Sequence, residues 1–199
     1  MVVSQYGLEY ADLDQALAEV ARVLAHGGML HWLAHSESSE VVQQNREQAL
    51  EVEYLLAPRG PVYHMNTFVA RQRRRKDMQY SMEMLNESFA RAYEWCKAHP
   101  PAKVVQEMCS GFADIANRWQ AYDPGDLAKM LEDSERRLTS HSARIRSLLD
   151  AVMTPQRRQS LQAILTQPPW QNLTIDPVRV GEGPSEIGLH VRAERSASG

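Results

Sequence analysis

Cysteine is scarce in this chain. There are two in 199 residues, Cys96 and Cys109, at a spacing that matches neither a CxxC motif nor a disulfide framework. That excludes a disulfide-stapled secreted domain and suits a reducing compartment. Long apolar runs are missing too, and with a mean hydropathy of -0.47 no segment approaches the roughly 20 apolar residues of a membrane helix. Charge of one sign is not in excess: 22 basic residues face 25 acidic ones for a net charge of -3. No global field therefore draws the chain to nucleic acid or anionic lipid. Met1-Val2-Val3 lacks a basic stretch before it and does not read as a signal peptide. The expectation is a cytoplasmic protein. Internal repeats and low-complexity tracts are not evident. With 43% hydrophobic and 24% charged residues, the chain suits one globular domain, or one with a large insertion.

The first 35 residues carry the densest pattern. Met1-Val2-Val3 is a continuous apolar run, which predicts a strand buried on both faces. The loop Ser4-Gln5-Tyr6-Gly7-Leu8-Glu9-Tyr10 follows, and Asp12 with Gln15 three residues on predicts a capped helix start. Leu13, Ala16, Leu17, Val20, Val23 and Leu24 recur at helical spacing, and Gly27-Gly28 stops the helix. Met29 to Ala34 then reads as a second strand, with His31, Leu33 and His35 on one face and Leu30, Trp32 and Ala34 on the other. Strand, amphipathic helix and strand make a βαβ crossover with two parallel strands.

From about residue 41 to 167 the pattern is helix after helix. Met78, Met82, Leu85, Phe89, Ala92 and Cys96 form one seam, and Val105, Met108, Phe112, Ile115, Trp119 and Tyr122 form a second. A third runs through Leu127, Leu131, Ser134, Leu138, His141, Ile145, Leu148 and Val152, after an Asp123-Pro124 start. Heptad-like spacing predicts a nearly antiparallel bundle. A shorter helix begins at Pro155. The end returns to strands, 173–180 and 186–194, about the loop Gly181-Glu182-Gly183-Pro184-Ser185, and Pro177 places the first of them at a sheet edge or a bulge.

The stretch Val2-Val3-Ser4-Gln5-Tyr6-Gly7-Leu8-Glu9-Tyr10, with Ala21-Arg22-Val23-Leu24-Ala25-His26-Gly27-Gly28 after it, resembles class I S-adenosylmethionine-dependent methyltransferases. In that family the fourth strand leads to a loop facing cofactor and substrate. A helix then ends in an arginine-valine-leucine-x-proline-glycine-glycine signature before the fifth strand; here His26 stands at the proline position. Ile187-Gly188-Leu189-His190-Val191-Arg192-Ala193 resembles the sixth and seventh strands that close the same sheet. The resemblance covers roughly residues 1–35 and 155–195. It implies an α/β fold: a partial Rossmann-like sheet, made of the βαβ unit and a C-terminal antiparallel hairpin, with a large α-helical insertion. The expected division is 1–35, 36–154 and 155–199. The family's glycine-rich GxGxG loop and the acidic residue that holds the cofactor ribose belong to its N-terminal half. No GxGxG occurs in this chain, so the resemblance implies the C-terminal half of a cleft. It also leaves the strand at residues 1–3 as an exposed edge, open to self-association or to a partner.

By the same resemblance Ser4, Gln5 and Tyr6 contact S-adenosylmethionine, while Glu9 and Tyr10 face the methyl acceptor. His35, at the carboxyl end of the second strand, reaches the same cleft as a proton acceptor or hydrogen-bond donor; a purely structural histidine is the competing reading. His26, His31 and His35 do not have the spacing of a metal site. Arg71, Arg73, Arg74, Arg75 and Lys76 form a dense basic run, but helical geometry spreads these charges around the circumference, so a solvated helix face is expected over nucleic-acid binding. Ser134 and His141 interrupt an apolar seam, either as a hydrogen-bonded core pair or as pocket lining. Trp95 and Trp119 are expected as core or interface anchors. Catalytic residues proper leave no signature, because methyl transfer depends mainly on alignment. The expected function is methyl transfer from S-adenosylmethionine by a chain not competent alone; the alternative is a non-catalytic helical interaction module of the same ancestry.

Overall fold

Local sequence chemistry places the elements. In the computed structural model, which describes residues 1–74, 78–181 and 185–197, β1 (Val2–Gln5) runs into a 3-10 turn at Leu8–Tyr10, then α1 (Leu13–Val23) and β2 (Met29–Ala34). Asp12 caps α1 by accepting from the Gln15 N–H at 3.0 Å, and Gly27 takes the left-handed φ of 71° that ends the turn before β2. Helices α2 (Glu40–Leu56), α3 (Pro61–Arg73), α4 (Gln79–Ala98), α5 (Lys103–Asn117), α6 (Pro124–Ala151) and α7 (Pro155–Leu165) follow. Strands β3 (Trp170–Arg179) and β4 (Glu186–Arg195) complete the chain. The protein is thus mixed α/β with a four-stranded open sheet in the order β1-β2-β4-β3. Among the described residues no helix is long and apolar enough to cross a membrane.

The chain packs as two units, Met1–Arg46 with Arg146–Gly199, and Glu47–Ile145. In the first, β1 and β2 pair in parallel, and β4 pairs antiparallel with both β2 and β3. The register Leu30↔Ala193, Trp32↔Val191 and Ala34↔Leu189 puts six buried side chains on one face of the sheet. Leu17, Val20 and Leu24 of α1 and its end, with Leu161 and Leu165 of α7, complete that core. Burying each such aliphatic side chain contributes about 1.5–3 kcal/mol. The opposite face carries Val3, His31, His190 and Arg192. Hence β1 is not buried on both faces as its composition suggests: Val2 is half-buried, but Val3 is 65% exposed. The apolar run reports affinity for a core, whereas position in the sheet decides how many faces are covered. Pro177 lies on β3, an edge strand with register shifts, as proline chemistry requires.

In the second unit the three seams meet in one core containing Leu85, Ala92, Cys96, Val105, Phe112, Leu127, Leu131 and Leu138. Asp123 Oδ1 accepts from the Gly125 and Asp126 N–H groups at 2.8 and 3.1 Å, starting α6. Ser134 and His141 do not form a pair: Ser134 Oγ donates to the Met130 carbonyl of its own helix at 2.9 Å. Trp95 stacks between Tyr54 and His99, and Trp119 meets Phe68 edge-on. Of the basic run, Arg71 lies over the Tyr80 ring at 5.4 Å while Gln72 turns inward to donate to the Trp119 carbonyl. Arg75 and Lys76 fall outside the described residues, as do Glu182, Gly183 and Pro184 of the hairpin loop.

Candidate active site at the carboxyl ends of β1 and β2

The carboxyl ends of two neighbouring parallel strands are where open α/β sheets place their ligands. At this end of β1 the backbone turns sharply. Tyr6 adopts φ 51°, in the left-handed region that a bulky residue rarely occupies. It is held there by its N–H donating to the Leu33 carbonyl at 2.7 Å and its hydroxyl donating to the Ile187 carbonyl at 3.0 Å. Its ring lies 4.3 Å from the His35 ring, tilted by 33°. Beneath it runs Gly188, where a Cβ would stand 2.5 Å from the Ala34 carbonyl oxygen and 3.4 Å from the Tyr6 ring. Only glycine lets β4 approach β2 this closely.

Glu9 is the centre of the site, although it does not face a substrate as the resemblance implied. It is 1% exposed, turned inward by the 3-10 turn. Its Oε2 accepts from the Trp32 indole N–H at 3.0 Å; its Oε1 accepts from the His35 backbone N–H at 3.1 Å and faces His35 Nδ1 at 2.8 Å. Burial pushes the Glu9 carboxyl up. Hydrogen bonds from the His35 ring, its own backbone, the Trp32 indole and the His35 backbone outweigh that and hold it below its ordinary range. The ionised carboxylate only accepts, so Nδ1 carries a hydrogen, and in the neutral form of the ring the lone pair lies on Nε2. Among the described residues Nε2 has no hydrogen-bond partner, and it is not one of the enclosed unpaired atoms. The His35 side chain is 9% exposed.

Tyr10, 46% exposed, meets the His35 ring edge-on at 6.1 Å. Burial first, then the Glu9 charge, raises both the Tyr6 and Tyr10 phenols above their ordinary 10.0, so both stay protonated at neutral pH. Ser4 Oγ accepts from the Leu8 N–H at 3.2 Å and still has its own hydrogen to donate. Gln5 is exposed on the uncovered face of the sheet. The Tyr6 hydroxyl is engaged within the sheet, so this residue presents its ring and not its O–H. Ser4 and Gln5 therefore offer polar groups at this strand end, while Tyr6 offers only an aromatic surface.

Trp32, Arg157 and Met153 join the site without having been singled out in the sequence. Arg157, on α7, donates to the Glu9 carbonyl at 2.8 Å and to the Asp150 carbonyl at 3.1 Å, pinning the turn that carries Glu9. The Met153 N–H donates to the His35 carbonyl at 2.8 Å. Trp32 had a readable signal: a buried indole N–H on a core-facing strand position needs an acceptor nearby. Arg157 had none. The other two early histidines go elsewhere, His31 to a stacked contact with His190 and His26 to the Ser196 carbonyl. Among the described residues no group of three or more His, Cys, Asp or Glu side chains is arranged to hold a metal. In the second unit a cavity of about 430 Å³ lies between α4 and α5, lined by Phe89, Cys96, Val105 and Cys109 among others. The chain matches no protein-family model, no curated protein and no solved structure.

Proposed function

We propose that the chain takes part in S-adenosylmethionine-dependent methyl transfer and forms one side of the cleft in which cofactor and acceptor meet. The observation that carries this reading is the joining of the Ser4–Tyr10 loop and His35 at the carboxyl ends of two parallel strands. The same sheet is continued by an antiparallel hairpin, in keeping with the resemblance of residues 1–35 and 155–195. Ser4 and Gln5 would hold the amino-acid end of the cofactor, and Tyr10 and His35 would border the acceptor. When bound, the cofactor supplies an activated methyl group on a sulfonium; the residues here orient and shield the reacting centre.

The β1 edge would be where strands of the other side of the cleft pair. What supports this is the contrast between the two sheet edges. β3 is protected by Pro177, two register shifts, and the charges of Asp176 and Arg179. β1 reads Val-Val-Ser-Gln, with no proline, charge or bulge, and among the described residues its one strand neighbour is β2. An edge so built accepts a further strand. The same edge favours a second reading, an interaction module that holds a partner without chemistry.

Nuclear magnetic resonance with S-adenosylmethionine as the probe separates the two readings. The methyl-transfer reading expects amide shifts confined to Ser4–Tyr10 and His35, with a Kd of about 1 mM, corresponding to -4.1 kcal/mol, weakened by Gln5→Ala. No shift at these amides at saturating cofactor overturns it in favour of the module. Micromolar binding overturns the half-cleft.

A further inference from the structure

We propose that His35 Nε2 is the proton acceptor of this cleft, and that the methyl acceptor is an atom bearing a hydrogen, a hydroxyl or an N–H on an aromatic or apolar body. The inference rests on the methyl-transfer reading, whose acceptor class it names.

Three donors converge on the Glu9 carboxylate: the Trp32 indole, the His35 backbone and His35 Nδ1. A carboxylate satisfies all three because both oxygens accept; a side-chain amide or a neutral acid cannot. The hydrogen on Nδ1 is therefore fixed by the fold, and the basic lone pair of the neutral ring is left on Nε2. Here Nε2 has no partner among the described residues, although Nδ1, the backbone N–H and the backbone carbonyl of the same residue are all bonded. Glu9 is a positioning residue: it sets the tautomer and stabilises the positive ring that forms on protonation. Arg157 and Met153 position in turn, holding the Glu9 and His35 carbonyls at 2.8 Å each.

The surroundings narrow the acceptor. His35 is bordered by the rings of Tyr6 and Tyr10, and the Tyr6 hydroxyl points away to the Ile187 carbonyl. The His35 ring is thus bordered by two aromatic rings, suited to a flat or apolar body that carries its polar atom toward the imidazole. As that atom forms its bond to the methyl carbon, the sulfur keeps the electron pair of the bond that breaks. The hydrogen lost by the acceptor passes to Nε2, leaving an imidazolium bonded to the Glu9 carboxylate. A thioether or tertiary amine would have no hydrogen to give, and the arrangement about His35 would serve no purpose.

Side-chain nitrogen resonances of the full 199-residue chain test this with phenol and anisole as probes, which share the ring and the oxygen and differ in that a methyl replaces the O–H hydrogen in anisole. Free protein at neutral pH is expected to show His35 as the Nδ1–H tautomer, and phenol but not anisole is expected to shift the Nε2 resonance. An Nε2–H tautomer, or equal responses to the two probes, overturns the proposal. In Glu9→Gln the amide cannot accept from all three donors, so loss of the Nδ1–H tautomer together with the phenol response is expected. Should that variant not fold, the phenol and anisole comparison in the native chain still decides. A phenol response without any S-adenosylmethionine shift upholds the proton acceptor and overturns the methyl-transfer reading. A cofactor shift with no phenol response does the reverse.

Discussion

Glu9 and His35 meet at 2.8 Å across 26 positions of chain, and the carboxylate is 1% exposed. A buried charge of this kind is tolerated only because every lone pair that faces the protein is used. Removing it in Glu9→Ala leaves the Trp32 indole and the His35 backbone N–H without partners. At about 1–3 kcal/mol for each stranded donor, an unfolding free energy lower by about 2–6 kcal/mol is expected, measured by urea titration. Trp32→Phe, which removes one neutral donor, is expected to cost less.

The same carboxyl has a pH signature. Its folded-state value lies below the ordinary 4.5, so the unfolded chain binds the proton more readily than the folded one. The stabilisation is complete above that ordinary value and is lost as pH falls through the folded one. Urea midpoints taken on the acid side are expected to decline in the native protein and to decline less in Glu9→Gln.

Gly188 stands where a Cβ would lie 2.5 Å from the Ala34 carbonyl oxygen. Backbone cannot move aside as a flexible side chain would, so Gly188→Ala pushes β4 from β2 beneath the Tyr6 ring. A loss of about 2–3 kcal/mol is expected. Weakened protection of the amides paired between Ala34 and Leu189 in hydrogen exchange locates the damage.

Val3 is 65% exposed on an edge strand that carries no charge. Val3→Lys adds a residue that natural edges use to block pairing. Sedimentation velocity is expected to show less self-association than in the native chain, with stability changed by no more than about 0.5 kcal/mol.

The two thiols are protected rather than reactive. Burial, with a smaller contribution from the nearby Cys96, pushes the Cys109 thiol up to about 12. The thiolate is the nucleophile and is nearly absent at mildly alkaline pH. Iodoacetamide is expected to label Cys109 far more slowly in the folded chain than in the unfolded one, measured by comparing labelling rates with and without urea.

Periodicity and capping are short-range, and they were legible. Asp12 and Asp123 start helices, Gly27 ends a turn in the left-handed region, and the seams through Leu85, Phe112 and Leu131 face one core. Each follows from residues within one or two turns of one another, where backbone geometry alone sets who is neighbour to whom. The alternation in β2 likewise set Leu30, Trp32 and Ala34 on one face, and that is the face the structure buries. Proximity of the Ser4–Tyr10 loop to His35 was legible only as a consequence of two strands being parallel.

Local pattern, then, set the kind and extent of most elements and grouped their apolar side chains on one face. The tertiary structure decided which strand lies beside which, with β4 placed between β2 and β3. It turned Glu9 inward, brought Arg157 to its carbonyl across 148 positions, and set Val3 on an uncovered face. A hydrophobic pattern states how much burial a segment wants and says nothing of the partner that provides it. A carboxylate in a loop likewise does not announce its donors. Those come from residues far along the chain, and only packing brings them within 3 Å of Glu9.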